Sequence, residues 1–181
     1  NIFYLMKKNK QDTSWESSSA WYDKLVSTEG HYYHREIIIP GILALLEKYP
    51  NPDGFLLDLA CGQGVLARHL PKKMKYIGVD ASLSLIQSAQ KKASSNHQFF
   101  VHDFTDALQI PKMQCSHACC ILALQNMPSI TPLLQSAWEH LKKNAPLILV
   151  LNHPSFRIPR QSSWGVDQEK KLQYRRLDCY M

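Results

Sequence analysis

From residue 55 onward, short apolar runs alternate with stretches whose apolar residues recur at helical spacing. Segments 55–59, 75–79, 98–101, 117–122 and 147–151 are strand-length and bounded by Gly, Pro, Asp or Lys. Between them, 63–70, 82–93 and 131–141 read as helices, with Leu85, Ile86 and Ala89 on one face behind a Ser82 cap and the last helix starting after Pro128. This alternation predicts parallel strands joined by right-handed crossovers, in a doubly wound, mainly parallel α/β sheet.

Upstream, 14–26 and 32–49 read as two helices, the second carrying Ile38, Ile42, Leu45, Leu46 and Tyr49 on one face. Pro40 either kinks that helix or marks its true first turn. Ligands of an open α/β sheet bind beyond the carboxyl ends of its strands, so residues 6–50 are expected to form a helical lid over a core of 51–153. Past residue 151 only 167–179 reads as helical, and the basic, aromatic run 157–176, with Trp164 and Tyr174, reads as a surface helix within a basic segment 154–181 of the same domain. No closing strand pair is expected. The run 147–151 has the continuous apolar character of a strand buried on both faces and paired on both sides. Left as an edge, it predicts a homodimer through that edge, or an exchange of segments, and further residues after Met181. Residues 1–5, ahead of Met6, are expected to be foreign to the native start.

A length of 181 residues, 45% apolar and 20% charged, with 7 Gly and 10 Pro, fits one folded domain and excludes disordered and fibrous chains. No apolar run approaches the roughly 20 residues of a membrane span. Lys and Arg number 21 against 15 Asp and Glu, a net charge of +6. Residues 152–181, six basic against three acidic, hold half of that excess. Such a balance suits a solvated surface as well as an anionic partner. Five cysteines, odd in number and without C-x-x-C spacing, argue against a disulfide framework and a structural zinc site, and for the reducing cytoplasm.

The strongest chemical signal runs from Phe55 to Ala67, where an apolar strand enters a loop with Gly62 and Gly64 and leaves it as a helix. Glycines there let backbone approach a ligand where a Cβ would collide. Gly62, Gly64 and Ala67 also satisfy a dinucleotide fingerprint, a weak match by itself. Asp58 separates the two readings. A carboxylate just before the loop opposes a pyrophosphate, whereas S-adenosylmethionine brings an ammonium and a sulfonium, both cationic. Asp80 lies 22 residues on, at the end of the second strand, from where a carboxylate accepts both ribose hydroxyls. Ser82 reads equally as a helix cap, Asp103 as an Asx-turn residue and Phe104 as core; Cys61 reads as loop packing rather than a nucleophile.

On these motifs the chain resembles the class I S-adenosylmethionine-dependent methyltransferases of small-molecule type, over about residues 15–157. Asp58, Ala60, Gly62 and Gly64 match the first motif, and Gly78 with Asp80, Ala81 and Ser82 the second. His102-Asp103-Phe104 matches the third, and the stretch from Ile121 through Leu122 and Gln125 to Asn126 the fourth. The resemblance implies a Rossmann-like methyltransferase fold, S-adenosylmethionine as methyl donor and S-adenosylhomocysteine as product. It also implies Asp103 beside the adenine amino group, Phe104 on the ring, and Leu122 and Gln125 near the methyl donor. Two departures stand out. The family ends with a sixth helix and an antiparallel strand pair, which this chain is expected to be too short to supply, so it reads as truncated. Many members carry a histidine pair after the fourth strand, where this chain has Gln125-Asn126-Met127-Pro128.

For the acceptor side, His31, Tyr32, Tyr33, His34 and Arg35 cluster between the two amino-terminal helices, just after Gly30. Tyr22 and Tyr33 are candidates to cover the sulfonium with a π face, and Tyr32, His34 and Arg35 to line the acceptor pocket. Asn126, Asn152, Phe156 and Arg157 join them from the other side. The run Asn152-His153-Pro154-Ser155-Phe156 resembles the motif of base amino methyltransferases but follows the fifth strand, not the fourth, which disfavours nucleic acid as acceptor. If the acceptor arrives protonated, His153 and His31 are the candidate bases. The expectation is methyl transfer to a small molecule. The alternatives are an RNA or protein methyltransferase guided by the basic carboxyl-terminal segment, and a non-catalytic module that binds the cofactor and regulates a partner.

Overall fold

The computed structural model describes residues 31–50, 54–110, 114–153 and 162–177. The lid helix expected over 14–26, residues 1–5, Tyr22, Phe156 and Arg157 lie outside the described residues. The chain divides into two compact units, Asn1–Val150 and Leu151–Met181.

In the first unit, β1 (Phe55–Leu59), β2 (Lys75–Asp80), β3 (His97–Val101), β4 (Cys115–Ile121) and β5 (Leu147–Val150) form one sheet in the order β3-β2-β1-β4-β5. Every pairing in it is parallel. The order reverses between β1 and β4, which opens a crevice at their carboxyl ends. The central strands β1, β2 and β4 are buried on both faces. Leu56, Tyr76 and Cys119 pack with α1 (Ile39–Lys48) on one face, while Leu57, Leu59, Ile77, Val79 and Ala118 pack with α3 (Thr131–His140) on the other. Between β2 and β3 lies α2 (Leu83–Lys91), whose first turn is capped by Ser82 Oγ accepting from Leu85 N at 3.2 Å.

Pro40 sits in the first turn of α1, preceded by a π-helical turn at His34–Ile38 in which Ile39 N–H bonds His34 O. Proline brings no N–H to the regular i→i−4 ladder, and the wider turn accommodates that missing donor. The far end of α1 is tied to the sheet by His117, whose Nε2 lies 2.6 Å from Tyr49 O.

Three expectations are corrected. First, the antiparallel pair expected to be missing is present: β6 (Ser162–Asp167) and β7 (Leu172–Leu177) form a two-stranded sheet in the second unit. The helix expected from 167 is therefore a turn and a strand. Asp167 Oδ1 accepts from Glu169 N and Lys170 N at 3.1 and 3.0 Å, and Lys171 takes φ +52° to close the turn. Second, 63–70 is not a regular helix. Positive φ at Gly62 (+55°) and Gly64 (+71°) forbids a standard helix start, and the chain continues in tight turns that end in the 3₁₀ segment Ala67–His69 before Pro71. Third, β5 is not buried on both faces: Leu149 is 41% exposed, and Leu151 after it is 53% exposed.

Candidate active site

The site is built at the carboxyl ends of β1, β2 and β4, where three loops converge. The loop after β1 turns at Ala60, a non-glycine residue at φ +64°; Leu122, just past β4, takes φ +53°. Two left-handed non-glycine residues on neighbouring strand ends store local strain of the kind that clusters at ligand-binding loops, at about 1 kcal/mol or more each. No sequence signal marked that strain. The loop folds back on the sheet, with Cys61 N donating to Val79 O at 2.9 Å and Gly64 N to Cys61 O at 3.0 Å. A Cβ on Gly78 would meet Cys61 Sγ and the Phe99 ring at 2.8 Å, so glycine at that position lets the loop lie close on β2.

Asp80 organises this end of the sheet. Its Oδ2 accepts from Gly62 N at 2.8 Å and its Oδ1 from Ser82 N at 2.9 Å, so one carboxylate at 9% exposure links the β1 loop to the start of α2. An ionised carboxylate is an acceptor only, the chemistry that suits a ribose diol. Beyond β3, Asp103 is exposed and its Oδ1 accepts from Thr105 N at 3.1 Å in an Asx-type turn. Phe104 packs into the core at 6% exposure with its ring edge-on to His102.

Ala60, Asp80, Ala81, Asp103, Phe104 and Asn126 line one open crevice. Thr105, Ala123, Met127 and Pro128 complete its wall, and sequence reasoning missed all four. Met127 and Pro128 close the crevice where the family resemblance drew attention to a histidine pair. Their signal lay only in adjacency to Asn126. Of the other expected cofactor residues, Ser82 is fully buried as the α2 cap, Gly62 and Gly64 are buried in the loop, and Gln125 donates from Nε2 to Leu122 O at 2.7 Å.

Asp58, expected as a cofactor residue, is deeply buried. It is 2% exposed on the α1 side of the sheet and is not among the crevice-lining residues. Tyr76 Oη donates to Oδ2 at 2.7 Å, and Oδ1 is buried without an ordinary hydrogen-bond partner. Burial pushes the Asp58 carboxyl up to about 6; hydrogen bonds from Tyr76 and the weak Cys119 thiol donor hold it down, and the neighbouring Asp80 charge adds to the rise. Burial likewise pushes the Cys61 and Cys119 thiols well above their usual range, so neither is a nucleophile.

The amino-terminal cluster is split. His31, Tyr32, Tyr33 and Arg35 are exposed, with His31 stacked on Tyr33 at 5.7 Å between ring centroids and Tyr32 edge-on to Tyr33. His34 alone turns inward, at 8% exposure. Burial, with His31 and His69 nearby, lowers its pKa, and its Nδ1 has no partner. Asn152 and His153 are exposed and belong to the second unit. Among the described residues no group of three or more His, Cys, Asp or Glu is placed to hold a metal ion.

An open parallel sheet with its crevice at the reversal of strand order, glycines in the first loop and an acid at the end of the second strand defines the Rossmann-like methyltransferase class of α/β domain. Comparison with known proteins agrees. Residues 56–144 match the family described as a methyltransferase domain. Among solved structures, the chain is similar to an S-adenosylmethionine-dependent methyltransferase from Mesorhizobium loti, with 22% identity and a TM-score of 0.64 over 77% of this chain and 63% of that one. It is also similar to magnesium protoporphyrin IX methyltransferase from Synechocystis with bound S-adenosylhomocysteine, with 18% identity and a TM-score of 0.54 over 70% of this chain and 66% of that one. The chain thus spans a little under two thirds of the length of each. No curated protein sequence matches. Residues 56–144, just under half of the chain, thus match a methyltransferase domain, and the fold is that of S-adenosylmethionine-dependent methyltransferases.

The residues present fit that cofactor. The carboxylate pair Asp58 and Asp80 suits a ligand that is cationic at one end and carries a diol at the other. Buried Asp58 Oδ1 lacks a hydrogen-bond partner, and Asp80 lines the crevice while bonded to the glycine loop at Gly62 N.

Proposed function

We propose that this protein transfers a methyl group from S-adenosylmethionine to a small-molecule acceptor. The observation that carries the reading is Asp80, which lines the crevice while holding the loop backbone at Gly62 and Ser82. S-adenosylmethionine supplies a methyl group already activated on a sulfonium. The protein's task is then to orient and to exclude water, which converts a bimolecular displacement into a positioned one. In this reading Asp80 takes the ribose hydroxyls, Asp103 and Phe104 flank the adenine, and the Ala60–Gly64 backbone holds the amino-acid end. Tyr22, Tyr33, Leu122 and Gln125 are assigned to the methyl-donor side. Tyr32, His34, Arg35, Asn126, Asn152, Phe156 and Arg157 are assigned to the acceptor. The setting is the reducing cytoplasm, in keeping with the four cysteines among the described residues, which are free and buried. Among the described residues no helix is long and apolar enough to cross a membrane.

The test is transfer of isotope-labelled methyl groups into an untargeted metabolite extract, with products resolved by mass spectrometry. Label in a small metabolite supports the reading; label confined to RNA or protein, or no turnover despite cofactor binding, contradicts it. If His153 or His31 removes a proton from the acceptor, replacing that residue by Ala is expected to lower kcat by a factor of about 10²–10⁴ with cofactor affinity unchanged. Steady-state kinetics alongside calorimetry checks this.

The homodimer reading also stands as a proposal. β5 ends the strand order and Leu149 is exposed on it, a combination that favours pairing with a second copy. Light scattering is expected to give twice the monomer mass of 20.8 kDa; a stable monomer at high concentration overturns it.

A further inference from the structure

Tyr76 has no assigned part in the site, yet it is the largest fully buried side chain of the sheet and its one polar atom is directed at Asp58. Strand register explains the meeting. Tyr76 pairs with Leu56 on β1, and in strands alternate residues share a face, so Tyr76 stands beside Asp58, two residues above Leu56. A phenylalanine would fill the same apolar space among Leu56, Phe99 and Cys119 without burying a hydroxyl. Burying a hydroxyl costs free energy unless it is hydrogen-bonded, and here the partner is a carboxylate that is itself buried. Two polar groups are thus sunk under the loop where packing alone calls for none.

We propose that Tyr76 is a positioning residue for the cofactor: its phenol fixes the buried Asp58 carboxylate beneath the Ala60–Gly64 loop, from where its charge attracts the cationic end of S-adenosylmethionine across that loop. This rests on the cofactor assignment given under Proposed function. The groups that face Asp58 are few. Tyr76 comes from β2 and Cys119 from β4, Asp80 stands at the end of β2, and the Cys61 thiol lies in the loop; α1 brings Ile39, Ile42 and Leu46, none of which titrates. Of these, only Tyr76 donates a short, charge-assisted hydrogen bond to the carboxylate. Losing it leaves burial and the like charge of Asp80 less opposed, so the carboxyl takes up a proton at higher pH. A protonated Asp58 offers the cation no charge.

The experiment is titration calorimetry of S-adenosylhomocysteine, which carries the same ammonium, into wild-type protein and the Tyr76→Phe and Asp58→Asn variants between pH 5 and pH 8, with thermal melts to establish folding. Wild-type affinity is expected to fall as pH drops through about 6. Tyr76→Phe is expected to move that midpoint upward by about one pH unit, costing roughly fivefold in affinity at pH 6 and little at pH 8. Asp58→Asn is expected to bind weakly with this pH dependence removed. In parallel, the carboxyl carbon of Asp58 followed by NMR in the free protein is expected to titrate at higher pH in Tyr76→Phe. An unchanged midpoint, or a loss of affinity equal at every pH, overturns the positioning role while leaving the cofactor assignment standing. Failure of the folded wild-type protein to bind at any pH overturns the cofactor assignment itself.

Discussion

Asp80→Ala is expected to weaken S-adenosylhomocysteine binding by roughly a hundredfold, about 3 kcal/mol, read by titration calorimetry at neutral pH. Two losses combine. The side chain lines the crevice as an ionised acceptor, and hydrogen bonds to a charged group contribute about 1.5–3 kcal/mol. The same carboxylate holds Gly62 N and Ser82 N at 2.8 and 2.9 Å, so its removal frees the β1 loop from the start of α2 and the binding surface is no longer pre-formed. Asp80→Asn retains one acceptor oxygen and is expected to fall between wild type and alanine. A variant with wild-type affinity would show that the ligand lies elsewhere.

Asp58→Asn is expected to have the opposite sign on stability: the free protein becomes more stable by up to about 3 kcal/mol above pH 7, while cofactor binding weakens. The Asp58 carboxyl is raised from 3.8 unfolded to about 6 folded, chiefly by burial. A carboxyl raised in the folded state binds its proton more tightly there, so its favourable contribution is complete below about pH 4 and lost as pH rises through about 6. Above that, wild type keeps a buried charge with a single strong hydrogen bond, and the asparagine amide carries none. His34, lowered by burial, works in the other direction, its stabilisation failing as pH falls below the ordinary histidine range. The difference between wild type and variant cancels that histidine and isolates Asp58. Urea denaturation at pH 5 and pH 7.5 checks the prediction, with the variant's advantage larger at the higher pH. A residue that costs stability in the free protein and strengthens ligand binding reflects the common trade-off at functional sites.

What the chain made legible by itself is what local pattern encodes. Apolar runs of four to six residues place β1 to β5 within about two residues of their observed ends, and the central strands are apolar on both faces because both are covered. The glycines at 62 and 64 and the acid at 80 were readable because tight approach and charge demand particular residue types at one spacing. The helix reading of 167–179 failed for the complementary reason. Gln, Glu, Lys, Leu and Arg are good helix formers, but a strand partner 162–167 supplies cross-strand contacts, including Arg175 over the Trp164 ring at 5.3 Å, that override a weak local preference.

Tertiary structure alone decided the rest. Tyr76 and Asp58 are 18 residues apart and meet only because β1 and β2 pair in one register; a shift of one residue would turn one of them to the opposite face. The double hold of Asp80 on two loops, the left-handed turns at Ala60 and Leu122, and the wall that Ala123, Met127 and Pro128 add to the crevice have the same origin. The order of residues determines which positions are apolar, acidic or free of a Cβ. Which of them stand within hydrogen-bonding reach of one another is set by strand register and by where each loop returns to the sheet, and no local pattern carries that information.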